Sequence, residues 1–156
     1  MAKFTAEERF LAKVDKTDTC WIWTAYKNGL GYGHFWLDGQ LAYAHRISYE
    51  FHVGPIPEGM HLDHTCHQPS CVNPEHLRPV TNKQNMENRS GAQPNNQSGV
   101  RGVHWHKRDR RWHARVRHNG KQLHLGYFTE LEDAEEAVIA KRNELFTHND
   151  VDRNER

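Results

Sequence analysis

The feature that most constrains the fold is a run rich in metal-binding side chains, HLDHTCHQPSCVNPEHLRPVTNKQN, which spans residues 61–85. Within it, four residues separate Cys66 from Cys71, and four more precede His76. Two thiols and an imidazole supply three of the four ligands of a tetrahedral structural zinc. Cys20 is the only other cysteine of the chain and the natural fourth ligand. On spacing alone, buried thiols beside a surface histidine remain the alternative.

The size of the chain also favours a metal site. Its 156 residues, 36% of them hydrophobic, suffice for one ordinary domain or two small ones with modest cores. Small domains often depend on a metal for stability, and three cysteines do not indicate a disulfide framework. No apolar run approaches the ~20 residues that span a bilayer, so we expect a soluble, intracellular protein without a membrane partner.

A second group of side chains in the same run suits metal-assisted hydrolysis. Asp63 directly precedes His64, and Asn85 follows within a predicted helix. A neutral imidazole can take a proton from water, while carboxylate and amide oxygens suit a hydrated Mg²⁺ ion. The combination matches hydrolysis of a phosphodiester, and a purely structural Asp-His pair is the alternative.

The chain divides at a polar segment that contains Pro94 and lacks large apolar residues. We predict a first domain at residues 1–89, a linker at 90–97, a second domain at 98–148 and a polar tail at 149–156.

In the first domain, the Asp38-Gly39 pair predicts a hairpin turn, and residues 44–52 predict a helix that two prolines end. Thr81 followed by Gln84 predicts a capping box at the start of a further helix. We expect the tryptophans of this domain, Trp36 among them, to lie in the core.

In the second domain, apolar and basic residues alternate along residues 112–117, which predicts a strand with one basic face. Asn119-Gly120 predicts a tight hairpin, and Thr129 with Glu132 predicts a second capping box before an amphipathic helix.

Residues 98–128 hold eight basic side chains and one acid, Asp109, for a net charge of +7. This charge predicts a polyanionic partner, with a merely solvated face as the alternative.

The segment DHTCHQPSCVNPEHL, with the asparagine of NKQN, resembles the HNH, or ββα-metal, endonucleases, above all the phage and intron homing enzymes and their His-Cys-box relatives. The resemblance extends over about residues 20–88. It implies that His64 is the general base, that Asp63 and Asn85 bind the catalytic Mg²⁺ (or Mn²⁺), and that Asn73 fixes the loop. It implies a structural Zn²⁺ bound by Cys20, Cys66, Cys71 and His76, and a phosphate contact from Arg46 or His45. Unlike the cysteine-rich relatives, this chain has no cysteines left for a second zinc site.

The segment from residue 98 to residue 146 resembles the ethylene-response-factor (APETALA-type) DNA-binding domain, through its RGV, LGYF and alanine-rich helix motifs. That resemblance implies that a three-stranded sheet enters the major groove. The residues at or beside DNA-facing positions are Arg101, His104, His106, Arg115, Arg117, Gln122 and His124. Several of them are arginine in the family but histidine or glutamine here, so the target sequence does not transfer.

Together these features predict an α+β fold: a zinc-stapled ββα-metal nuclease domain, followed by a small three-stranded antiparallel sheet packed on one helix. The predicted function is site-specific cleavage of double-stranded DNA, of the homing type, by a monomer or homodimer in the cytoplasm of a phage-infected or prokaryotic cell. Two alternatives are a DNA-binding regulator with an inactive nuclease fold and a hydrolase that uses a catalytic zinc. A Cys3His set disfavours the second, because it leaves no open coordination position.

Overall fold

A computed structural model of the chain describes residues 4–89 and 91–154, with the backbone alone of Asn154. The fold is mixed α+β, as the sequence predicts, and all its sheets are small and antiparallel. The chain divides into two compact units, Met1–Asn85 and Met86–Arg156. No helix in the described part of the chain is both long and apolar enough to cross a membrane.

Unit 1 consists of three two-stranded hairpins and short helices. Its elements are α1 (Ala6–Leu11), β1 (Val14–Lys16), β2 (Trp21–Trp23), β3 (His34–Leu37), β4 (Gln40–Tyr43), α2 (Ala44–His52), β5 (His61–His64), a 3-10 turn (Pro74–His76), β6 (Leu77–Val80) and α3 (Asn82–Glu87), whose last two residues belong to unit 2. The hairpins pair β1 with β2, β3 with β4 and β5 with β6. Strands β5 and β6 followed by α3 form the ββα segment that contains the predicted catalytic residues.

Local sequence signals account for several of these boundaries. Asp38 and Gly39 have φ values of 48° and 81°, so the two-residue turn between β3 and β4 forms where the sequence predicts it. Thr81 and Gln84 make the predicted capping box, in which the Gln84 amide donates to Thr81 Oγ1 at 3.2 Å and Gln84 Oε1 accepts from the Thr81 amide at 2.8 Å. Helix α3 therefore begins as predicted.

The core of unit 1 is largely aromatic. The buried side chains are Phe10, Trp23, Phe35, Ala44, Ile47 and Val72. Trp23 packs against Gly33, where a Cβ atom would lie 2.4 Å from the indole ring, so only glycine fits there. The core prediction for Trp36 is wrong, since its side chain is 59% exposed. Trp36 lies between Phe35 and Leu37 on β3, and alternation along the strand turns it outwards.

Unit 2 is a three-stranded sheet with helices. Its elements are β7 (Val103–His106), β8 (Arg111–His118), β9 (Lys121–Phe128), α4 (Leu131–Leu145) and α5 (Asp150–Asn154), with sheet order β7-β8-β9. The predicted Asn119-Gly120 turn joins β8 to β9, with φ values of 50° and 77°. The core brings together apolar residues of the sheet, of α4 and of the residue that follows α4: Val103, Ala114, Val116, Ala134, Val138 and Phe146. The other face of the sheet is polar and basic.

Two expectations for unit 2 differ from the structure. Helix α4 has Glu130 as its N-cap, without a side-chain cap bond, so the predicted box between Thr129 and Glu132 does not form. Because the helix begins one residue later than the box requires, Thr129 lies outside the capping position. The predicted polar tail contains α5, which the Asp152–Arg142 ion pair ties to α4, with Nε–Oδ2 at 2.6 Å.

The division between the units also falls earlier than the predicted linker at residues 90–97. Residues that follow Asn85 bond within unit 2. The Glu87 carboxylate accepts from the Thr147 amide at 3.0 Å, and Asn88 Oδ1 accepts from the Asp150 amide at 2.9 Å. These bonds join residues distant in sequence, which the local composition does not reveal. The assignment of functions to the two parts stays a prediction.

Candidate metal centre and nuclease site

The four predicted zinc ligands come together in unit 1. One ligand atom from each of Cys20, Cys66, Cys71 and His76 lies within 4.8 Å of the others. The Nδ1 atom of His76 is 3.6 Å from both the Cys20 and the Cys71 sulfur. Zinc–sulfur and zinc–nitrogen bonds of about 2.3 and 2.0 Å at a tetrahedral angle place sulfur and nitrogen about 3.5 Å apart. The donor set and its spacing therefore fit a structural zinc ion.

The backbone around this Cys3His cluster joins distant parts of the unit. Cys71 makes an isolated antiparallel bridge to Ile22 of β2, and this bridge brings the β5–β6 loop next to Cys20. Asn73 extends the connection, because its Nδ2 donates to the Thr19 carbonyl at 2.9 Å and its Oδ1 accepts from the Glu75 amide at 3.1 Å. Asn73 thus lies where the resemblance places a loop-fixing residue.

The three thiols differ in acidity. A hydrogen bond from Cys71 lowers the pKa of Cys66 to about 4, whereas the interaction with Cys66 raises the pKa of Cys71. Burial raises the pKa of Cys20. One thiolate stabilised by neighbouring thiols is the arrangement expected of a cluster that binds a cation through sulfur.

His64, the predicted base, is the last residue of β5 and is only 7% exposed. Its Nε2 lies 2.9 Å from the Cys71 carbonyl oxygen, which can only accept, so Nε2 carries the proton and donates. Nδ1 is then the unprotonated nitrogen of the neutral ring. Burial lowers the pKa of His64, and this effect outweighs the hydrogen bond to Cys71 and the charge of Asp63, which raise the pKa. The ring is therefore neutral near pH 7. A neutral, oriented imidazole is suited to accept a proton.

Asp63 and Arg78 form a partly buried ion pair across the β5–β6 hairpin. The two residues are register partners, and both Nε and Nη2 of Arg78 donate to Asp63 Oδ2, at 3.1 and 2.9 Å. The sequence interpretation missed Arg78. Arg78 could have been found only from its position opposite Asp63 across the hairpin. The sequence alone does not give the register of that hairpin.

Asn85 lies in α3, one turn from the capping box, and its backbone amide donates to the Thr81 carbonyl at 3.0 Å. The residue is half-buried, and its side chain makes no hydrogen bond to the rest of the described chain. Arg46, one of the two predicted phosphate contacts, is half-buried in the first turn of α2, and His45, the other, is buried there. The side-chain amide of Asn85 is therefore available to a ligand.

On the sheet of unit 2, three predicted DNA-facing residues form one cross-strand chain. Arg115 on β8 lies between His104 on β7, with Nη2 3.0 Å from His104 Nε2, and Gln122 on β9. With its oxygen turned towards Arg115, the Gln122 amide accepts from Nε at 3.1 Å and from Nη1 at 2.8 Å. The guanidinium is thus held in place by neighbours on both sides.

The same face continues with further histidines. His113 Nε2 is 2.5 Å from His124 Nδ1, and the Tyr127 ring stacks on His113 with centroids 4.9 Å apart. His106 lies nearby, with Nδ1 3.2 Å from Asp109. The alternation along residues 112–117 places His113 on the basic face, but the DNA-facing set taken from the resemblance left it out. The sequence interpretation missed Tyr127, because a bulge between Ala114 and Arg115 shifts the register that leads to it.

Arg101 is used differently from the other predicted DNA-facing residues. Its guanidinium donates to three carbonyl oxygens at the end of α3 and just beyond, those of Met86, Glu87 and Arg89, at 2.8–3.0 Å. Arg117, by contrast, is exposed on the sheet. The structure therefore gives Arg101 a role inside unit 2.

Comparison with known proteins gives a family for part of the chain. Residues 42–87 match the model of the HNH endonuclease family. Protein 7.7 of Escherichia phage T7 is 41% identical over 70 residues, which cover 45% of this chain and 54% of the relative. Protein 2.8 of the same phage is 36% identical over 81 residues, which cover 50% of this chain and 55% of the relative. An uncharacterized gene 5.3 protein of Enterobacteria phage T3 is 40% identical over 42 residues, 27% of this chain and 42% of the relative.

The chain thus spans about half the length of the two T7 proteins that it matches. No solved structure matches it. The family match contains Asp63, His64 and Asn85 together with three members of the Cys3His cluster. Residues 42–87 are accordingly similar to the HNH endonuclease domain, in a chain that is similar to phage proteins.

Proposed function

We propose that the protein is a site-specific DNA endonuclease of the homing type, which hydrolyses phosphodiester bonds with His64 as general base. The observation that carries this proposal is the bond from His64 Nε2 to the Cys71 carbonyl. It fixes the tautomer with Nδ1 unprotonated, which is the form that an attacking water needs.

In this reaction, His64 Nδ1 takes a proton from water as the water attacks phosphorus. Asp63 and Asn85 would hold the Mg²⁺ (or Mn²⁺) ion, and hard oxygen ligands of this kind suit it. Such an ion would supply positive charge to the phosphate that the water attacks. Arg78 fixes the Asp63 carboxylate through its two donors, and this restricts the orientations available to that ligand.

The zinc that we propose for the Cys3His cluster is structural. Four protein ligands saturate a tetrahedral ion, so no position is left for water or substrate. This argues against a hydrolase that uses that metal. The cluster's role would be to hold Cys71, and hence the carbonyl that orients His64.

We propose that the polar face of the unit 2 sheet reads double-stranded DNA, in the manner of the ethylene-response-factor domains. The held guanidinium of Arg115 supports this role, because a fixed donor pair suits the edge of a base. Arg117, His104, His106, Gln122 and His124 share the face, and we now add His113. Arg101 is not carried forward, because backbone carbonyls occupy its guanidinium.

The phage relatives support a place in the cytoplasm of an infected bacterial cell. Because each chain would hold one active site, a monomer would cut one strand, and a double-strand break would need a homodimer or a second binding event. Mapping the cuts on both strands distinguishes these outcomes.

The test of the nuclease function compares His64→Ala with wild type on DNA that flanks the gene, in Mg²⁺. We expect single-turnover cleavage to fall at least about 100-fold, the usual contribution of a general base, while DNA affinity is retained. His61→Ala is the matched control, since His61 lies exposed on the same strand. Near-normal cutting by His64→Ala would refute the base assignment. Tight DNA binding by a wild-type protein that never cuts would favour the inactive regulator instead.

A further inference from the structure

The outer side of the β3–β4 hairpin is an exposed apolar surface of unit 1, which we call the hairpin face. Its four residues form two cross-strand pairs, Trp36 with Leu41 and His34 with Tyr43. Leu41 and Tyr43 are 56% and 41% exposed, and Trp36 is exposed as well. None of the four is an acid, a lysine or an arginine. A contiguous apolar surface of this kind marks a binding site.

The hairpin face continues, ring by ring, to the nuclease site. The ring centroids of His34 and Tyr43 lie 4.6 Å apart, and that of Tyr43 lies 5.5 Å from that of His45. His45 in turn lies 5.0 Å from His64, the proposed general base. At the other end of the row, the exposed Tyr26 ring lies 5.9 Å from His34. A strand that is bound at His64 therefore meets an unbroken aromatic surface beside it.

Cations border the same surface. A groove of about 580 Å³ lies between the hairpin face and helix α1, and the exposed side chains of Arg9 and Lys13 line it. Glu8, the acid among the lining residues, is engaged at the start of α1, where its carboxylate accepts from the Thr5 amide at 2.7 Å. Aromatic rings beside cations suit a nucleotide strand, because its bases stack on the rings and its phosphates are anionic.

The chemistry of the hairpin face favours unpaired bases over a duplex. A duplex presents its phosphates and the edges of its bases to a protein, while stacked neighbours cover the faces of the bases. Only a base that has left the stack offers its face to an aromatic ring, and this contact depends little on which base it is. A face without charged side chains therefore fits the bases and not the phosphates of a strand.

We propose that the hairpin face binds unpaired nucleobases of the strand that the nuclease site cuts. The substrate class is then DNA with unpaired nucleotides beside the scissile phosphate, such as a bubble, a gap or a branch. The proposal rests on the proposed nuclease function and adds a substrate class to it. Tyr43 and His34 stack on the bases nearest to the phosphate, and Trp36 stacks on a base farther along the strand. The adjoining duplex remains the ligand proposed for the sheet of unit 2.

The first test measures binding without cleavage. A labelled single-stranded oligothymidylate is titrated with the full chain in the absence of Mg²⁺. Tyr43→Leu keeps an apolar side chain but removes the aromatic ring, and we expect its affinity to fall about 5- to 150-fold, the value of one stacked base. Tyr43→Phe keeps the ring and should bind like wild type. Trp105→Leu is the matched control, because it removes an exposed ring of unit 2, and it should leave the affinity unchanged.

A duplex of the same length separates stacking from a general loss of folding. Tyr43→Leu should bind this duplex as tightly as wild type does, because the duplex has no free base faces for Tyr43 to meet. Equal affinities of wild type and Tyr43→Leu for the single strand would refute the proposal. An equal loss of affinity for both ligands would refute it as well.

Cleavage tests the substrate class. Duplexes of one sequence, with and without a mismatched bubble at the mapped cut, are compared in Mg²⁺ under single-turnover conditions. We expect wild type to cut the bubble at least about 10-fold faster, because its bases need not be unstacked first, and Tyr43→Leu to lose this preference. Equal rates of wild type on both substrates would overturn the proposal. Binding of the single strand through Tyr43 by a protein that cuts neither substrate would support the hairpin face while the proposed nuclease function fails.

Sedimentation velocity tests the other candidate occupant of this face, a second copy of the chain. We expect Trp36→Ser and Tyr43→Ser to sediment as wild type does, because the face is free for a strand. A wild-type dimer that both variants dissociate would show that the hairpin face joins two copies, and the proposal would be wrong.

Discussion

At the scale of single residues, Cys71 links the two kinds of chemistry in unit 1. Its sulfur belongs to the Cys3His cluster, its carbonyl accepts from His64, and its backbone bridges to Ile22. A change in the metal cluster would therefore reach the proposed base through one peptide unit. The sequence places Cys71 seven residues after His64, but it does not show which carbonyl the imidazole meets.

His45 gives a prediction for stability against pH. Its pKa of about 3 lies below the ordinary value of 6.5, so the folded state binds fewer protons than the unfolded state between these values. This contribution to the free energy of unfolding is complete above pH 6.5 and is lost as the pH falls towards 3. Between pH 7 and pH 5 the loss amounts to at most about 2 kcal/mol.

Urea unfolding at the two pH values checks this, with His45→Gln for comparison. The variant keeps the same cysteines and carboxylates, so the pH dependence of its stability contains the contribution of every titrating group except His45. We expect the decrease in stability to be smaller in His45→Gln than in wild type. Identical decreases would show that His45 does not titrate as its burial implies.

At the scale of elements, the two predicted capping boxes allow a direct comparison, because only one of them forms. Thr81 caps α3 through the Gln84 amide, whereas Thr129 has no capping bond to α4. We expect Thr81→Ala to lower the free energy of unfolding by about 0.5–2 kcal/mol, the usual value of a helix cap. Thr129→Ala should be near neutral. Chemical denaturation measures both, and equal effects would contradict the difference between the two helix starts.

The polar face of the sheet gives a prediction for DNA binding. Replacing Arg115 and Arg117 with alanine should weaken binding, and it should lower the salt slope of the affinity by about 0.9 for each phosphate that the protein no longer neutralises. Lys141→Ala is the control, because Lys141 pairs with Glu144 on helix α4. The measurement is the affinity at several salt concentrations, and an unchanged slope would exclude these arginines from phosphate binding.

At the scale of the whole molecule, the two units differ in what holds them together. Unit 2 has a core of sheet and helix residues, while unit 1 adds the Cys3His cluster to its aromatic core. A structural zinc can contribute on the order of 10 kcal/mol, comparable with the stability of an entire domain.

We therefore expect elemental analysis to find one zinc per chain, and Cys66→Ser to lower that content. Chelation should raise amide hydrogen exchange across β2, β5 and β6, while β7–β9 stay protected. A metal-free protein with full protection in unit 1 would show that the cluster is not a zinc site.

The outcomes for the fold show where local signals suffice. Turns at Asp38-Gly39 and Asn119-Gly120, the extent of α2 and the alternation along β8 were predictable, because each depends on neighbouring residues. The exposure of Trp36 was not predictable, since it depends on which face of the β3–β4 hairpin is covered. Helix α5 was not predictable either, because it depends on an ion pair with the distant Arg142. The roles of the site residues stay predictions that the variants above test.

The sequence by itself determined the metal-binding spacing, the basic strand and the identity of the candidate nuclease residues, because these reside in residue types and short separations. The tertiary structure alone decided that Arg78 holds Asp63, that Arg101 binds the end of α3 and that His45, whose Nδ1 has no hydrogen-bond partner in the described chain, lies beside His64. Each of these depends on a contact between segments whose relative placement is set by packing and strand register, which a local pattern does not encode.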